Sequence, residues 1–351
     1  MPSKTKNEIG TSIEVRPGLT MPPYGYVNVD YQWDEDARRV PEGFLLNGAP
    51  ATPREWEDYV QRHVDELADF LWPRFDKATG TWRGRAAARA MRLTLKDLEL
   101  LVELRKKIAD APEVKGKKID KTHRALFVAE DIRDPSVTVA IPTLPDYLPM
   151  VPEATVLKMR EDVTKRLGQL GPAQLRFKKE MQRPRPYQVA YMLGQDFSLE
   201  FAKSSMTPAM ISGHCYQSFI TRTGAYMSFR LQLENCTGAV ESMQQYTADI
   251  GDRRVFAGVH YPSDNISSWF CASRMCDNMY SEVGEVAKEF MRGALKKSAV
   301  YQMIKEDIKK DPKSVYAAPM AIVETEFARA ADRTDALGKV LPLRLKQQKA
   351  A

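Results

Sequence analysis

Residues 212–232, SGHCYQSFITRTGAYMSFRLQ, read as a helix with a marked start: Ser212 is a credible N-cap, Gly213 lets the backbone approach a ligand, and 213–232 then run on as one helical segment. Outward from it, helical segments recur at 153–169, 172–182, 187–203, 235–249, 263–282 and 284–309. Strand candidates are few, and no repeat of about 20 to 50 residues is legible. The expected fold is therefore all-α.

Towards the N-terminus, Thr52, Pro53, Arg54 and Glu55 form a capping box with Pro at the first helical position. Behind it Trp56, Tyr59, Val60, His63, Val64, Leu67 and Leu71 recur at i, i+3, i+4, and Trp72-Pro73 ends the helix. Residues 84–109 form helix throughout, as two helices meeting near Thr94, and the Lys-rich VKGKKIDKTH after them reads as an exposed loop. Five prolines within 134–152 rule out a long helix or a central strand there. The expected organisation is an irregular arm over 1–52, N-terminal helices and a Pro-rich connector over 53–150, a catalytic helical bundle over 151–310, and a tail over 311–351. Within that tail, 320–337 can add one helix before a solvated basic end.

The length of 351 residues suits two ordinary domains or one large domain with extensions. Composition, 43% hydrophobic and 28% charged, excludes disordered, collagen-like and disulfide-stapled classes. A net charge of +6 favours anionic ligands only weakly, since plain solvated surfaces carry a similar excess, and no nucleic-acid motif accompanies it. None of the four cysteines, Cys215, Cys236, Cys271 and Cys276, forms a CxxC pair, so buried free thiols are expected. The first residues lack the apolar core of a secretory signal, and no apolar run reaches the roughly 18 to 20 residues that cross a bilayer. The expectation is a soluble cytoplasmic chain without a membrane span, or an exported one if a signal peptide was removed.

Three segments gather basic and imidazole groups. In FKKEMQRPRP, Lys178 and Arg185 lie seven apart, about two helical turns, so both can point to one side of a helix that ends before Pro186. In MISGHCYQSF, the helix after Ser212 and Gly213 aims free amides at whatever anion sits there. In GDRRVFAGVHYPSDN, His260 precedes a helix with Pro262 at an early position. Asp264, four residues on, can reach the imidazole and fix its tautomer, while Arg254 returns to the same pocket from a loop. Singly, each has an ordinary explanation: a solvated helix end, a cap followed by a core histidine, a surface arginine, a capping carboxylate.

Jointly the segments spell K-x6-RP, SGH and R-x5-H-x3-D, here Lys178…Arg185-Pro186, Ser212-Gly213-His214 and Arg254…His260…Asp264. This pattern, spanning residues 178–264, resembles the signature of the type 2 phosphatidic acid phosphatase superfamily, which includes soluble class A acid phosphatases, membrane lipid phosphatases and vanadium-dependent haloperoxidases. Ile211 and Arg253 depart from it, standing where the family usually has Pro and Ser, and the transmembrane helices of the lipid phosphatases are missing.

A phosphate needs fixed positive donors from several directions, and Lys178, Arg185 and Arg254, with the Ser212 hydroxyl and the Gly213 amide, supply them without a metal. The resemblance implies a helical bundle of the acid phosphatase/haloperoxidase type, with His260 as nucleophile forming a phosphohistidine and His214 as acid and then base. The implied function is hydrolysis of a small-molecule phosphate ester with no cofactor. Two alternatives remain: a vanadate-dependent haloperoxidase with His260 as the ligand to vanadium, and a non-catalytic phosphoanion-binding scaffold. Close spacing of the segments, and Leu175 where a chloroperoxidase-like chain would show Trp three before Lys178, favour the phosphatase. His63, His123 and Cys215 are expected to be structural. Phe197, Met206 and Met210 read as core rather than substrate contacts, and exposed apolar surface on the extra helices could support a homo-oligomer.

Overall fold

Helix α1 (Pro53–Phe70) starts at the capping box: Glu55 N–H donates to Thr52 Oγ1 at 3.3 Å and Thr52 N–H to the Glu55 carboxylate at 2.8 Å. Its buried face carries the expected Trp56, Tyr59, Val60, His63, Val64 and Leu67. The computed structural model describes residues 38–73, 84–109, 144–195, 207–280 and 284–328. Ahead of α1 the expected irregular arm ends in a small antiparallel hairpin, β1 (Leu45–Leu46) and β2 (Ala49–Pro50), with Leu45 opposite Pro50. Asn47 and Gly48 both have positive φ, 53° and 81°, as a two-residue hairpin turn demands; the Asn-Gly pair was its signal in the sequence.

Helix α2 (Gly84–Ala109) is continuous rather than broken near Thr94, because Thr94 lies in one buried stripe with Ala90, Leu93, Asp97, Leu98 and Leu101. After the short α3 (Leu144–Tyr147) come α4 (Glu153–Leu170), α5 (Ala173–Met181) and α6 (Pro186–Met192). The helix expected over 187–203 stops at Met192, and Gly194 follows with φ 67°. Helix α7 (Gly213–Ser228) ends four residues short of expectation and is followed by α8 (Arg230–Glu234). Helix α9 (Ala239–Phe256) overruns the expected 235–249, so Arg254 stands on its last turn and not in a loop.

Helix α10 (Pro262–Met279) is followed by α11 (Gly284–Lys297) and α12 (Ala299–Lys310), where one helix was expected over 284–309. The break has a chemical cause. Ser298 caps Tyr301 N–H at 3.1 Å, and Asp252 of α9 accepts from Ser298 Oγ at 2.7 Å and Ala299 N–H at 2.6 Å, so a neighbouring helix supplies the new N-terminus with acceptors. Helix α13 (Ala317–Glu326) starts and ends earlier than the expected 320–337. Its Met320 and Val323, with Tyr316 and Phe327, join the main core, so the packed body continues past Asp311.

Helices α7 and α10 are buried almost all round. Helix α7 packs on α4, α9, α10 and α11, which makes it the axis of the bundle. It borders two core clusters, one holding Tyr216, Phe219, Ile220, Trp269 and Phe270, the other Ala225, Tyr226, Met159, Met243 and Phe290. The α7/α9 crossing is tight at Gly251: an added Cβ would lie 2.8 Å from both Cβ and Sγ of Cys215. Gly251→Ala is therefore expected to destabilise by about 2–3 kcal/mol through overpacking. Thermal denaturation checks this, and an unchanged melting temperature would mean the helices are not locked there. Among the described residues no helix is long and apolar enough to cross a membrane.

Candidate active site

The three segments meet at the N-terminal ends of α7 and α10. Lys178 occupies the last turn of α5, which stops at Gln182 in the left-handed conformation (φ 46°). Lys178 and Arg185 are thus not aligned by two helical turns, as the spacing suggested; an irregular stretch between α5 and α6 turns them towards the same strip of backbone. Lys178 Nζ donates to the carbonyls of Pro208 (2.5 Å) and Ala209 (3.3 Å). Arg185 Nε donates to Thr207 O (2.7 Å), its Nη2 to Thr207 Oγ1 (3.2 Å), and its Nη1 to Val259 O (2.6 Å). Main-chain carbonyls thereby aim two buried cations.

Ser212 caps α7 by position, but among the described residues its buried hydroxyl has no hydrogen-bond partner, which leaves it available to a ligand beside the amide of Gly213. Its carbonyl accepts from Ser268 Oγ (2.9 Å), which also donates to Asp264 O (2.8 Å) and so ties the start of α7 to the start of α10. His214 follows, half-buried. The chain from α9 to α10 is a tight turn in which Gly258 has φ 75° and the amides of Val259 and His260 both donate to Arg254 O at 3.2 Å. Arg253 faces elsewhere: its Nη2 donates to Tyr147 OH (2.9 Å), whose own proton goes to Asp249 (2.6 Å). Arg254, whose charge acts on the His260 ring, is accordingly the candidate arginine of the site, and Arg253 and Ile211 are buried.

Asp264 fills both of its expected roles. Its Oδ2 accepts from Tyr261 N–H at 2.9 Å, the capping contact, and lies 3.0 Å from His260 Nδ1. On the far side of the ring, Arg185 Nη1 is 3.0 Å from Nε2. A guanidinium only donates, so Nε2 is the acceptor and Nδ1 carries the proton that Asp264 receives. Burial pushes the His260 pKa well below the ordinary imidazole value, and Arg185, Lys178, His214 and Arg254 push it further. That every candidate cation and His214 act on one ring places them within electrostatic reach of it.

Charge points to the kind of ligand. Lys178, Arg183, Arg185 and Arg254 are all buried in this region, and among the described residues Asp97 and Asp264 are the carboxylates bonded to Arg183. Burial, then Arg185, drives the Lys178 pKa well down, so the cluster favours a partner that brings negative charge. A phosphate dianion fits that requirement.

Other expectations resolve simply. His63 is buried with Nδ1 2.7 Å from Tyr59 O, and burial lowers its pKa to about 4, as suits a neutral core histidine. Cys215 is buried with its thiol pKa raised by burial, and Met210 is core. His123, Phe197 and Met206 lie outside the described residues. Sequence reading missed Arg183, Asp97, Ser263, Tyr316 and Thr207. For Asp97 a signal existed, a carboxylate standing in the apolar stripe of α2. Cavities of about 550 and 560 Å³ are lined by Gln244, Glu289, Arg292, Gly293 and Lys296, and by residues of 145–157, away from these groups. Comparison of the chain with protein-family models, with curated proteins and with solved structures finds no match in any of the three.

Proposed function

We propose that this chain is a metal-independent phosphomonoesterase that transfers a phosphoryl group through His260, on a helical bundle of the acid phosphatase/haloperoxidase type. The supporting observation is the tautomer of His260: Nδ1–H on Asp264, and the Nε2 lone pair facing the cations. Nε2 attacks phosphorus, the ester P–O bond breaks, and His214 gives its proton to the departing alcohol. His214 then takes a proton from water, whose oxygen attacks phosphorus, and the P–N bond breaks to release phosphate and neutral His260. Lys178, Arg185 and Arg254, with Ser212 Oγ and the Gly213 amide, hold the equatorial oxygens.

The same donors fit vanadate, and His260 Nε2 would hold it, so one comparison tests the reading. A metal-free preparation is assayed for hydrolysis of an aryl phosphate, and a vanadate-loaded one for bromide oxidation by peroxide. Hydrolysis with an acid-labile phosphoenzyme is expected; bromination without hydrolysis would overturn the proposal, and neither activity would favour a phosphoanion-binding scaffold.

The depressed His260 pKa also fixes the sign of a pH effect. A nucleophile that is already neutral loses nothing as the pH falls through the ordinary imidazole value of about 6.5. After correction for substrate ionisation, kcat/KM is expected to show no acid limb centred there. A half-loss as the pH falls through that value would mean that His260 becomes protonated there, and would overturn the expectation.

A further inference from the structure

Behind the nucleophile lies a second buried layer, to which Trp72, Asp97 and Tyr316 come from outside the 178–264 span. Arg183 is fully buried, its guanidinium sandwiched between the rings of Trp72 (4.5 Å) and Tyr261 (3.9 Å). Its Nη1 donates to Asp264 Oδ1 (2.7 Å) and Ser263 Oγ (2.7 Å), and its Nη2 to Asp97 Oδ2 (2.7 Å). Asp97, brought by α2, also accepts from Ser263 N–H (3.1 Å), Ser263 Oγ (2.5 Å) and Tyr316 OH (2.8 Å). Burial raises the Asp97 pKa, and Arg183 with the hydroxyls of Ser263 and Tyr316 opposes that; four donors on one carboxylate fit its ionised form.

We infer that Asp97 is a positioning residue of the reaction: through Arg183 it fixes the orientation of Asp264, and so the tautomer of His260. The inference rests on the phosphatase reading of the His260 site. Its logic is a chain of alternating charges, Asp97, Arg183, Asp264 and the imidazole. Without Asp97, Arg183 would spend its whole charge on Asp264 Oδ1 and draw the carboxylate from His260 Nδ1. With Asp97 present, Arg183 is shared, and Oδ2 stays on the imidazole and the Tyr261 amide. Burial opposes charge on Arg183, yet Asp264 and Asp97 hold its pKa above the ordinary value, as a permanently charged link requires. This gives α2 and the segment at Tyr316 a place in the catalytic unit, since they deliver the two groups that complete the layer.

The test uses the full chain carrying Asp97→Asn. Removing one negative charge behind the site leaves the anion cradle intact and more positive. The expected result is a kcat lowered about 10- to 100-fold, the usual scale for an outer-shell partner, with KM for an aryl phosphate and affinity for inorganic phosphate unchanged or tighter. Imidazole nitrogen NMR should show His260 as the Nδ1–H tautomer in the wild type and a mixture in the variant. A purely structural Asp97 would instead lower the melting temperature while the folded fraction kept the wild-type kcat and tautomer, and that outcome overturns the inference.

If Asp97→Asn does not fold, Tyr316→Phe keeps the ring and removes one donor. It should lower kcat about 3-fold at constant KM, the worth of one hydrogen bond, and no change in kcat or His260 signals would count against the role. Should the wild type hydrolyse no phosphate ester, the phosphatase reading falls. The imidazole spectra of the wild type and Asp97→Asn then decide the positioning by themselves: a mixed tautomer in the variant supports it and an unchanged one ends it.

Discussion

Replacing His260 by Ala is expected to lower the turnover of an aryl phosphate by about four orders of magnitude or more, the scale seen when a covalent nucleophile is removed. The loss should fall on kcat and leave phosphate binding largely in place. Lys178 is aimed by Pro208 O and Ala209 O, and Arg185 by Thr207 and Val259 O, so neither cation depends on the imidazole for its direction. Phosphate should still meet these donors, and its dissociation constant is expected to move by less than about tenfold, one or two hydrogen bonds' worth. Kinetics and titration calorimetry with inorganic phosphate read the two quantities. Retained turnover would remove His260 from the chemistry, and loss of binding together with turnover would make the ring a structural support for the cradle.

What could be read from residue order, and what could not, divides along physical lines. The His260–Asp264 pair was legible because four residues across a helix N-terminus leave little choice: a carboxylate at the third helical position reaches the capping amide and the imidazole before it. The start of α1 was legible for the same reason. Lys178 and Arg185 were paired correctly by a wrong geometry, since the helix assumed to align them ends at Gln182 and backbone carbonyls of 207–209 and 259 do the aiming. Helix ends were misplaced where a tertiary partner decides them, most clearly at Ser298, capped by Asp252 from 46 residues away. The Asp97–Arg183 pair spans 86 residues, and no local pattern links them. That Arg253 turns to Tyr147 needed three dimensions for the same reason, as it depends on Tyr147 lying against α9.

Asp264→Asn, nearly isosteric, should lower kcat about 10³- to 10⁴-fold, comparable with the loss when the carboxylate orienting a catalytic histidine is amidated in a serine protease. Asp264 receives three donors: Arg183 Nη1 on Oδ1, and His260 Nδ1 and Tyr261 N–H on Oδ2. An amide offers one oxygen, so one side must meet its NH₂ group. If the oxygen faces Arg183, the NH₂ faces His260 and the Tyr261 amide, the tautomer reverses, and Nε2–H opposes Arg185 with no lone pair left to attack. If the oxygen faces His260 instead, the tautomer survives and Arg183 keeps Ser263 and Asp97. The ring that gains positive charge as Nε2 bonds to phosphorus then has no anion behind it. Both orientations fail, by different routes, and imidazole nitrogen NMR tells which is populated. The double variant with Asp97→Asn is the sharper measurement: because Asp97 acts only through Asp264, its replacement should cost little further kcat once Asp264 is Asn. Full multiplicative loss in the double variant would mean that Asp97 reaches the chemistry by another path.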